Sequence, residues 1–239
     1  HYYSMMKKNI NQKNISLIEY YKMANLDIII SDDPIARYKK EKNTNSVFNK
    51  REKLNILKKK IENIENCNLK KTANKMVFSD GNMNSKIMFI GEGPGAQEDQ
   101  IGLPFVGDAG KLLDKMMEAI NLNRNKVYIS NVVNYRPPSN RKPTEEEIER
   151  YLPFLKLHIE IIKPRILVLL GSTALQAISR KEKIISKVRG KWFKSKIGEC
   201  EPEIIVTFHP AYLIRQPEQK KKSWNDLKLI RDKIKILKL

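Results

Sequence analysis

Four side chains that could recognise a flat, polar ligand lie in separate segments of this sequence. Phe105 stands in the turn GLPFVG, where a rigid loop can present an aromatic ring as a stacking surface. Asn131 carries a carboxamide that both donates and accepts hydrogen bonds. His209 precedes a proline, and its imidazole could donate to an oxygen on which negative charge develops. Glu92 adds a carboxylate within GEGPGA, so the set could bind a heterocycle.

Each of these residues also has a common structural explanation. Phe105 could be a core phenylalanine under a loop, Asn131 a turn former and His209 a satisfied structural histidine. The functional interpretation therefore depends on whether the fold brings the four segments together.

The alternation of short apolar runs and helical stretches predicts how they are positioned. Four β-branched runs predict strands at residues 87–90, 127–129, 166–170 and 204–208. Helical spacing predicts helices at residues 109–120, 145–162 and 173–179, the second introduced by a capping box of Thr144 and Glu147. This pattern indicates an α/β fold, a three-layer α/β/α sandwich with a central four-stranded parallel sheet.

Polar residues follow the carboxyl ends of three of these strands. Glu92 follows the first strand, Asn131 the second and His209 the fourth. Ligands bind beyond the carboxyl ends of strands in open α/β sheets, so we expect these residues to converge on one cleft.

Composition favours a polyanionic partner in a reducing, cytoplasmic compartment. The 46 Lys and Arg residues against 27 acidic ones leave a formal charge of +19, although a Lys- and Asn-biased, solvated surface is the alternative. Residues 1–60 are interpreted as a basic, partly helical extension, with helical spacing at residues 15–23, and residues 61–239 as the main domain. Cys67 and Cys200 lie outside any metal or disulfide spacing. No apolar run approaches the roughly 20 residues that span a bilayer, so no membrane partner is expected.

The segment GEGPGA also fits the dinucleotide fingerprint, so a nucleotide-binding protein is an alternative. Pro94 in the turn and the acidic pair Glu98-Asp99 disfavour a pyrophosphate at this helix start. The segment also lacks the Lys-Ser/Thr ending of a P-loop.

Taken together, five segments closely resemble family 4 of the uracil-DNA glycosylase superfamily, over roughly two thirds of the chain. They are GEGPGAQED (91–99), GLPFVGDAGKLLD (102–114), VYISNVVNYRPPSNRKPTEEE (127–147), ILVLLGSTA (166–174) and HPAYLIRQP (209–217). The resemblance implies a DNA repair hydrolase that flips uracil from single- or double-stranded DNA and cuts its N-glycosidic bond. The alternative within the superfamily is a catalytically altered or inactive member that binds uracil-containing or single-stranded DNA.

The resemblance also implies a role for each motif residue. Glu92 would position the attacking water or balance charge near the sugar, and His209 would stabilise the departing uracil anion. The substrate would be bound by Gly91, Gly93, Phe105 and Asn131. A wedge loop of Tyr212, Leu213, Ile214 and Arg215 would enter the DNA, aided by Arg136 and Arg141. The residue that excludes thymine is not assigned, since Gly95 stands where another branch has tyrosine.

The sequence departs from the family at its iron–sulfur cluster. Family members usually hold a [4Fe-4S] cluster on four cysteines, and the matching positions here are Ile64, Cys67, Tyr135 and Tyr151. We therefore expect no cluster and no other cofactor, in a protein that acts as a monomer.

Overall fold

The structure, a computed structural model of the 239-residue chain, describes residues 44–179 and 184–239. These described residues form one compact unit. The helix expected at residues 15–23 lies outside them. No helix in the described part of the chain is both long and apolar enough to cross a bilayer.

A mixed sheet of six strands lies at the centre. The strands are β1 (Ser79–Gly81), β2 (Ile87–Gly91), β3 (Tyr128–Asn131), β4 (Ile166–Leu170), β5 (Phe193–Lys194) and β6 (Glu203–Thr207). Their order is β1-β3-β2-β4-β6-β5, and the inner four are parallel. The predicted central four-stranded parallel sheet is confirmed, and two edge strands that were not predicted bring the total to six. Two short antiparallel strands extend the edges, and both are too short and polar to show an apolar run.

Nine α-helices accompany the sheet in the described residues. They are α1 (Thr44–Glu62), α2 (Asn68–Thr72), α3 (Ala96–Ile101), α4 (Asp108–Glu118), α5 (Glu145–Ile162), α6 (Ser172–Ser179), α7 (Ile185–Val188), α8 (Pro210–Arg215) and α9 (Lys220–Leu237). The predicted capping box of α5 is confirmed, since Thr144 Oγ1 accepts from Glu147 N at 3.2 Å and Thr144 N donates to Glu147 Oε2 at 2.8 Å. The segment expected as a wedge loop is instead the short helix α8.

The strand residues alternate between two apolar cores, one on each face of the sheet. Met88 and Ile90 of β2 face a core that includes side chains of α1, α5 and α6. Ile87 and Phe89 face the other core, formed with α4, α8 and α9. Successive strand residues point to opposite faces, so two covered faces make the predicted α/β/α sandwich. The three-layer class is confirmed.

Helix α1 belongs to one of these cores. Its Leu54, Leu57 and Ile61 are buried there, and Lys50 Nζ donates to the carbonyl oxygens of Met83 and Ile162 at 3.2 Å each. Part of the extension that was expected to be basic and partly helical therefore forms a helix that packs in this core. Where the N-terminal extension ends stays a prediction, because the residues before 44 are not described.

Candidate active site

The carboxyl ends of the parallel strands open into one pocket of about 850 Å³. Glu92, Phe105, Asn131 and His209 all line it, so the four segments expected to converge do so. Its volume is at the upper end of the range for ligand sites, roughly 300–1,000 Å³. The pocket therefore has room for a nucleotide with its sugar, rather than for a base alone.

The ring of Phe105 forms one wall of the pocket, and the backbone of this residue adopts a strained conformation. Phe105 has a φ of 55°, in the left-handed region that non-glycine residues rarely adopt. Gly110 makes this conformation possible, because a Cβ there would lie 1.7 Å from the Phe105 carbonyl oxygen. The side chain is buried, and its ring centroid lies 5.6 Å from that of His209. Strain of this kind persists where surrounding contacts over-determine the geometry.

Two residues that the sequence analysis did not select hold this loop. Glu98 accepts hydrogen bonds from the backbone N–H groups of Val106 at 2.9 Å and Gly107 at 2.8 Å. Arg124 donates to the carbonyl oxygens of Pro104, at 3.1 Å, and Phe105. Glu98, one of the two acidic residues that disfavoured a pyrophosphate site, therefore stabilises the loop that carries Phe105. Glu98 also accepts from the N–H of Gly95 at 3.1 Å, the bond that a glutamate at the third position of a helix commonly makes to the N-cap N–H.

Asn131 presents an unpaired acceptor at the end of β3. Its side chain is only 3% exposed, and Oδ1 is the one buried side-chain polar atom without a hydrogen-bond partner among the described residues. A lone buried acceptor costs free energy, so such a group is expected where a ligand supplies the missing donor. Gly91 lies beneath it in register, and a Cβ there would come within 2.4 Å of both Asn131 Oδ1 and the Phe105 ring. Only glycine fits that position.

His209 caps helix α8 with its own ring. Nδ1 accepts from Ala211 N at 3.2 Å, so the proton of a neutral imidazole lies on Nε2. Burial lowers the pKa of His209 to about 4, with a further lowering from Arg215 and an opposing effect from Glu98. At neutral pH His209 is therefore an uncharged Nε2–H donor at the pocket.

Glu92 is oriented by a hydroxyl that the sequence analysis missed. Thr173 Oγ1 donates a hydrogen bond to Glu92 Oε2. Thr173 is buried in the first turn of α6, just beyond the carboxyl end of β4. Neighbouring strands thus supply the carboxylate and the group that holds it.

The predicted DNA-binding residues separate into two groups. Arg141, Tyr212 and Arg215 line the pocket, as do the unpredicted Lys142 and Lys222. Cations at the mouth of a cleft suit the phosphates of a nucleic acid.

The remaining members of that set lie away from the pocket. Leu213 is 1% exposed within the core, whereas Ile214 on the same helix is 45% exposed. Arg136 is engaged elsewhere, since its Nε donates to Asn140 Oδ1 at 2.8 Å and its Nη1 lies 4.0 Å from a carboxylate oxygen of Asp99. In this structure Leu213 is a packing residue, while Ile214 is the apolar side chain of α8 that is free to contact a partner.

Comparison with known proteins decides which family has this arrangement. Residues 78–228 match the profile of the uracil DNA glycosylase superfamily. A type-4 uracil-DNA glycosylase of Thermotoga maritima is 40% identical over 173 residues, covering 71% of this chain and 87% of the relative. That of Pyrobaculum aerophilum is 38% identical over 171 residues, covering 70% and 87%. That of Sulfurisphaera tokodaii is 40% identical over 184 residues, covering 75% and 84%.

The chain belongs to family 4 of the uracil-DNA glycosylase superfamily. The fold class and the family expected from the sequence motifs are both confirmed. The nucleotide-binding interpretation of GEGPGA is set aside, because that segment falls within the matched glycosylase region.

The cluster-ligand positions of family 4 do not fit a [4Fe-4S] cluster in this chain. Cys67, Tyr135 and Tyr151 are buried in one apolar core, with Ile64 packed against it. Cys67 Sγ lies 3.3 Å from Tyr151 Oη, at hydrogen-bond distance. The chain has two cysteines, and no group of three or more metal-binding side chains occurs among the described residues. A four-thiolate site cannot be assembled from these residues.

Proposed function

We propose that this protein is a uracil-DNA glycosylase of base-excision repair. It flips uracil out of DNA, hydrolyses the N-glycosidic bond and leaves an abasic site. The observation that carries the proposal is the unpaired, buried Asn131 Oδ1, which lies in one pocket with the Phe105 ring and the imidazole of His209.

Uracil can supply the hydrogen-bond donor that Asn131 Oδ1 lacks in the free protein. Its N3–H can donate to Asn131 Oδ1, and its O4 can accept from the same carboxamide. Stacking on Phe105 adds about 1–3 kcal/mol per base. Extruding the base costs a few kcal/mol, which these contacts offset.

His209 assists the departure of the base without transferring a proton. Uracil leaves as a delocalised anion that needs no general acid, so a donor aimed at its oxygen suffices. The neutral Nε2–H of His209 supplies this donor, and it is held in place by the bond from Ala211 N to Nδ1.

The lowered pKa of His209 predicts how stability depends on pH. An unfolded histidine binds a proton near its ordinary pKa of about 6.5, whereas folded His209 stays neutral down to about pH 4. The free energy of unfolding is therefore expected to fall by about 1.4 kcal/mol per pH unit, for this group, as pH drops through that window. The free energy of unfolding, measured by urea titration at several pH values between 4 and 6.5, should fall more steeply with decreasing pH in wild type than in His209→Gln. The same pH dependence in both proteins would exclude the effect.

Glu92 acts on the sugar side of the bond that breaks. Its carboxylate, oriented by Thr173, positions the attacking water or balances the positive charge on the oxocarbenium-like sugar. Glu92 and His209 thus flank the reacting atoms from two different strand ends.

Substitution of Glu92 tests this role. Glu92→Gln keeps an acceptor for Thr173 but removes the charge, so kcat is expected to fall at least about tenfold with KM little changed. Thr173→Val should give a smaller loss, and Thr173→Ser should restore the rate. Single-turnover base release from a uracil oligonucleotide is the measurement. A wild-type rate in Glu92→Gln would remove Glu92 from the mechanism.

The cations at the pocket mouth contact the DNA backbone. Lys142, Arg215 and Lys222 surround the opening together with Arg141, which is paired with Glu147 at 2.6 Å, and the chain carries a net charge of +19. Helix α8 offers the exposed Ile214 beside Arg215, which suits a wedge that fills the space left by the flipped base. The four assigned pocket residues, Glu92, Phe105, Asn131 and His209, lie together within a single chain, so we expect the protein to act as a monomer.

This family member works without an iron–sulfur cluster, in a reducing cytoplasmic compartment. Buried aromatic and thiol groups fill the positions of the cluster ligands, and Asp99 with Arg136 braces the neighbouring loop. The purified protein is expected to be colourless, with substoichiometric iron and sulfide. Metal analysis after anaerobic purification is the measurement. A brown preparation with stoichiometric iron and sulfide would overturn the claim.

The deciding experiment separates catalysis from binding. Wild type is incubated with single-stranded and duplex oligonucleotides that carry one uracil, and with matched thymine controls. Uracil release with an alkali-labile abasic site supports the proposal. Retention of the uracil strand in a gel shift, without base release, identifies the superfamily member that only binds.

A further inference from the structure

A buried carboxylate anchors the strand end from which His209 emerges. Asp226 of α9 is 1% exposed and accepts from Thr207 Oγ1 at 2.7 Å. Arg189 pairs with both of its oxygens, Nη2 with Oδ1 at 2.6 Å and Nε with Oδ2 at 3.1 Å. Thr207 is fully buried and is the last residue of β6, two positions before His209.

The same ion pair reaches the pocket wall. The guanidinium carbon of Arg189 lies 5.1 Å from the centroid of the Phe208 ring, within the range of a cation–π interaction. Phe208 lines the pocket, and its ring centroid lies 5.0 Å from that of Tyr212. Arg189 also donates to the carbonyl oxygen of Lys222, which stands at the pocket mouth.

Backbone contacts tie this anchor to the neighbouring strand. Gly171, just past β4, donates its N–H to the carbonyl oxygen of Thr207 at 2.9 Å. A Cβ at Gly171 would lie 3.1 Å from His209 Cβ, so His209 packs closely over this backbone. Thr207 is therefore held through its hydroxyl on one side and its carbonyl on the other.

Stability alone is a weak reason for such an ion pair, because the desolvation of the buried carboxylate and the partly buried guanidinium offsets much of their attraction. Geometry is a stronger reason, since a misplacement of about 1 Å near a reacting group can cost 10²-fold in rate. Two residues after the anchored Thr207 lies His209, the hydrogen-bond donor assigned to the leaving uracil.

We infer that Asp226, through Thr207 and Arg189, is a positioning residue that sets where His209 and Phe208 stand in the pocket. The inference rests on the proposed function, which makes His209 the donor to uracil. None of the three anchoring side chains lines the pocket.

The test removes one hydroxyl and leaves the charges in place. Thr207→Val keeps the side-chain shape but cannot donate to Asp226, so kcat is expected to fall about tenfold. KM for the uracil oligonucleotide should stay within about twofold, and Thr207→Ser should recover most of kcat. Ser85→Ala is the matched control, because it deletes a buried hydroxyl at the opposite end of the sheet. Its kcat should be unchanged even where its melting temperature falls.

Two further measurements separate the possible failures. In the His209→Ala background, Thr207→Val should lose most of its effect on kcat, because positions that act through one another are not additive and only the contribution through Phe208 remains. The imidazole ¹⁵N signals of His209 should shift in Thr207→Val and not in Ser85→Ala, whether or not base release is observed. Wild-type kcat and unshifted signals in Thr207→Val would overturn the inference. Inactive wild type with shifted signals would overturn the glycosylase assignment alone.

Discussion

Replacement of His209 by alanine is expected to lower kcat for uracil release by about 10²- to 10³-fold. The reason is the loss of one preorganised donor to the leaving oxygen, worth about 2.7–4 kcal/mol. KM should change little, because the interaction strengthens only as negative charge develops on the base. Single-turnover release from an oligonucleotide with one uracil is the measurement. A loss smaller than threefold would refute the role of His209.

His158 provides a matched control for this substitution. It is also buried, its pKa is lowered by burial to about 3, and its Nε2 lies 2.8 Å from Tyr128 Oη. It does not line the pocket. His158→Ala should therefore lower the melting temperature and leave kcat within about threefold of wild type.

Asn131→Ala is expected to lower kcat/KM about 10- to 100-fold without lowering the melting temperature. A bidentate contact to a base edge contributes about 1–3 kcal/mol. The free protein gains in return, because the substitution removes an acceptor that is buried and unpaired. A loss of function with retained or raised stability is the signature of a group kept for its ligand.

For the neighbouring Asn134 we expect the opposite result, a loss of stability without a loss of activity. Its Nδ2 donates to the carbonyl oxygen of Val77 at 2.9 Å, so its amide already has a partner in the free protein. Asn134→Ala should lower the melting temperature and leave kcat/KM within about threefold. If both variants lose stability and activity together, Asn131 is a structural residue and its assignment to uracil fails.

The four parallel strands could be predicted because each is encoded by a short, continuous run of apolar residues. The β-branched runs of β2, β3, β4 and β6 are buried on both faces, so their apolar character is continuous and easily recognised. The convergence of Glu92, Asn131 and His209 followed from strand direction alone. Helix α9 was not predicted, although its buried residues 223, 226, 227 and 230 follow helical spacing.

Contacts between distant segments could not be predicted. The bond from Thr173 to Glu92 and the ion pair of Arg189 with Asp226 join residues that only the tertiary fold brings together. The tautomer of His209 depends on the N–H of Ala211 at the start of α8, where the sequence indicated a loop. The sequence also left open whether Phe105 is a core residue or a pocket residue. In the structure its side chain is buried and its ring also lines the pocket, so it has both roles.

The two short edge strands also affect how this basic protein behaves at high concentration. An open strand edge is a template for pairing with other chains, and natural sheets limit it with short or charged edges. Here β1 spans three residues and β5 spans two, with Asp80 engaged by Arg124 and Lys194 by Glu203. Among the described residues, neither edge of the sheet offers a long, flat ladder of unpaired backbone groups, so this sheet disfavours edge-to-edge aggregation.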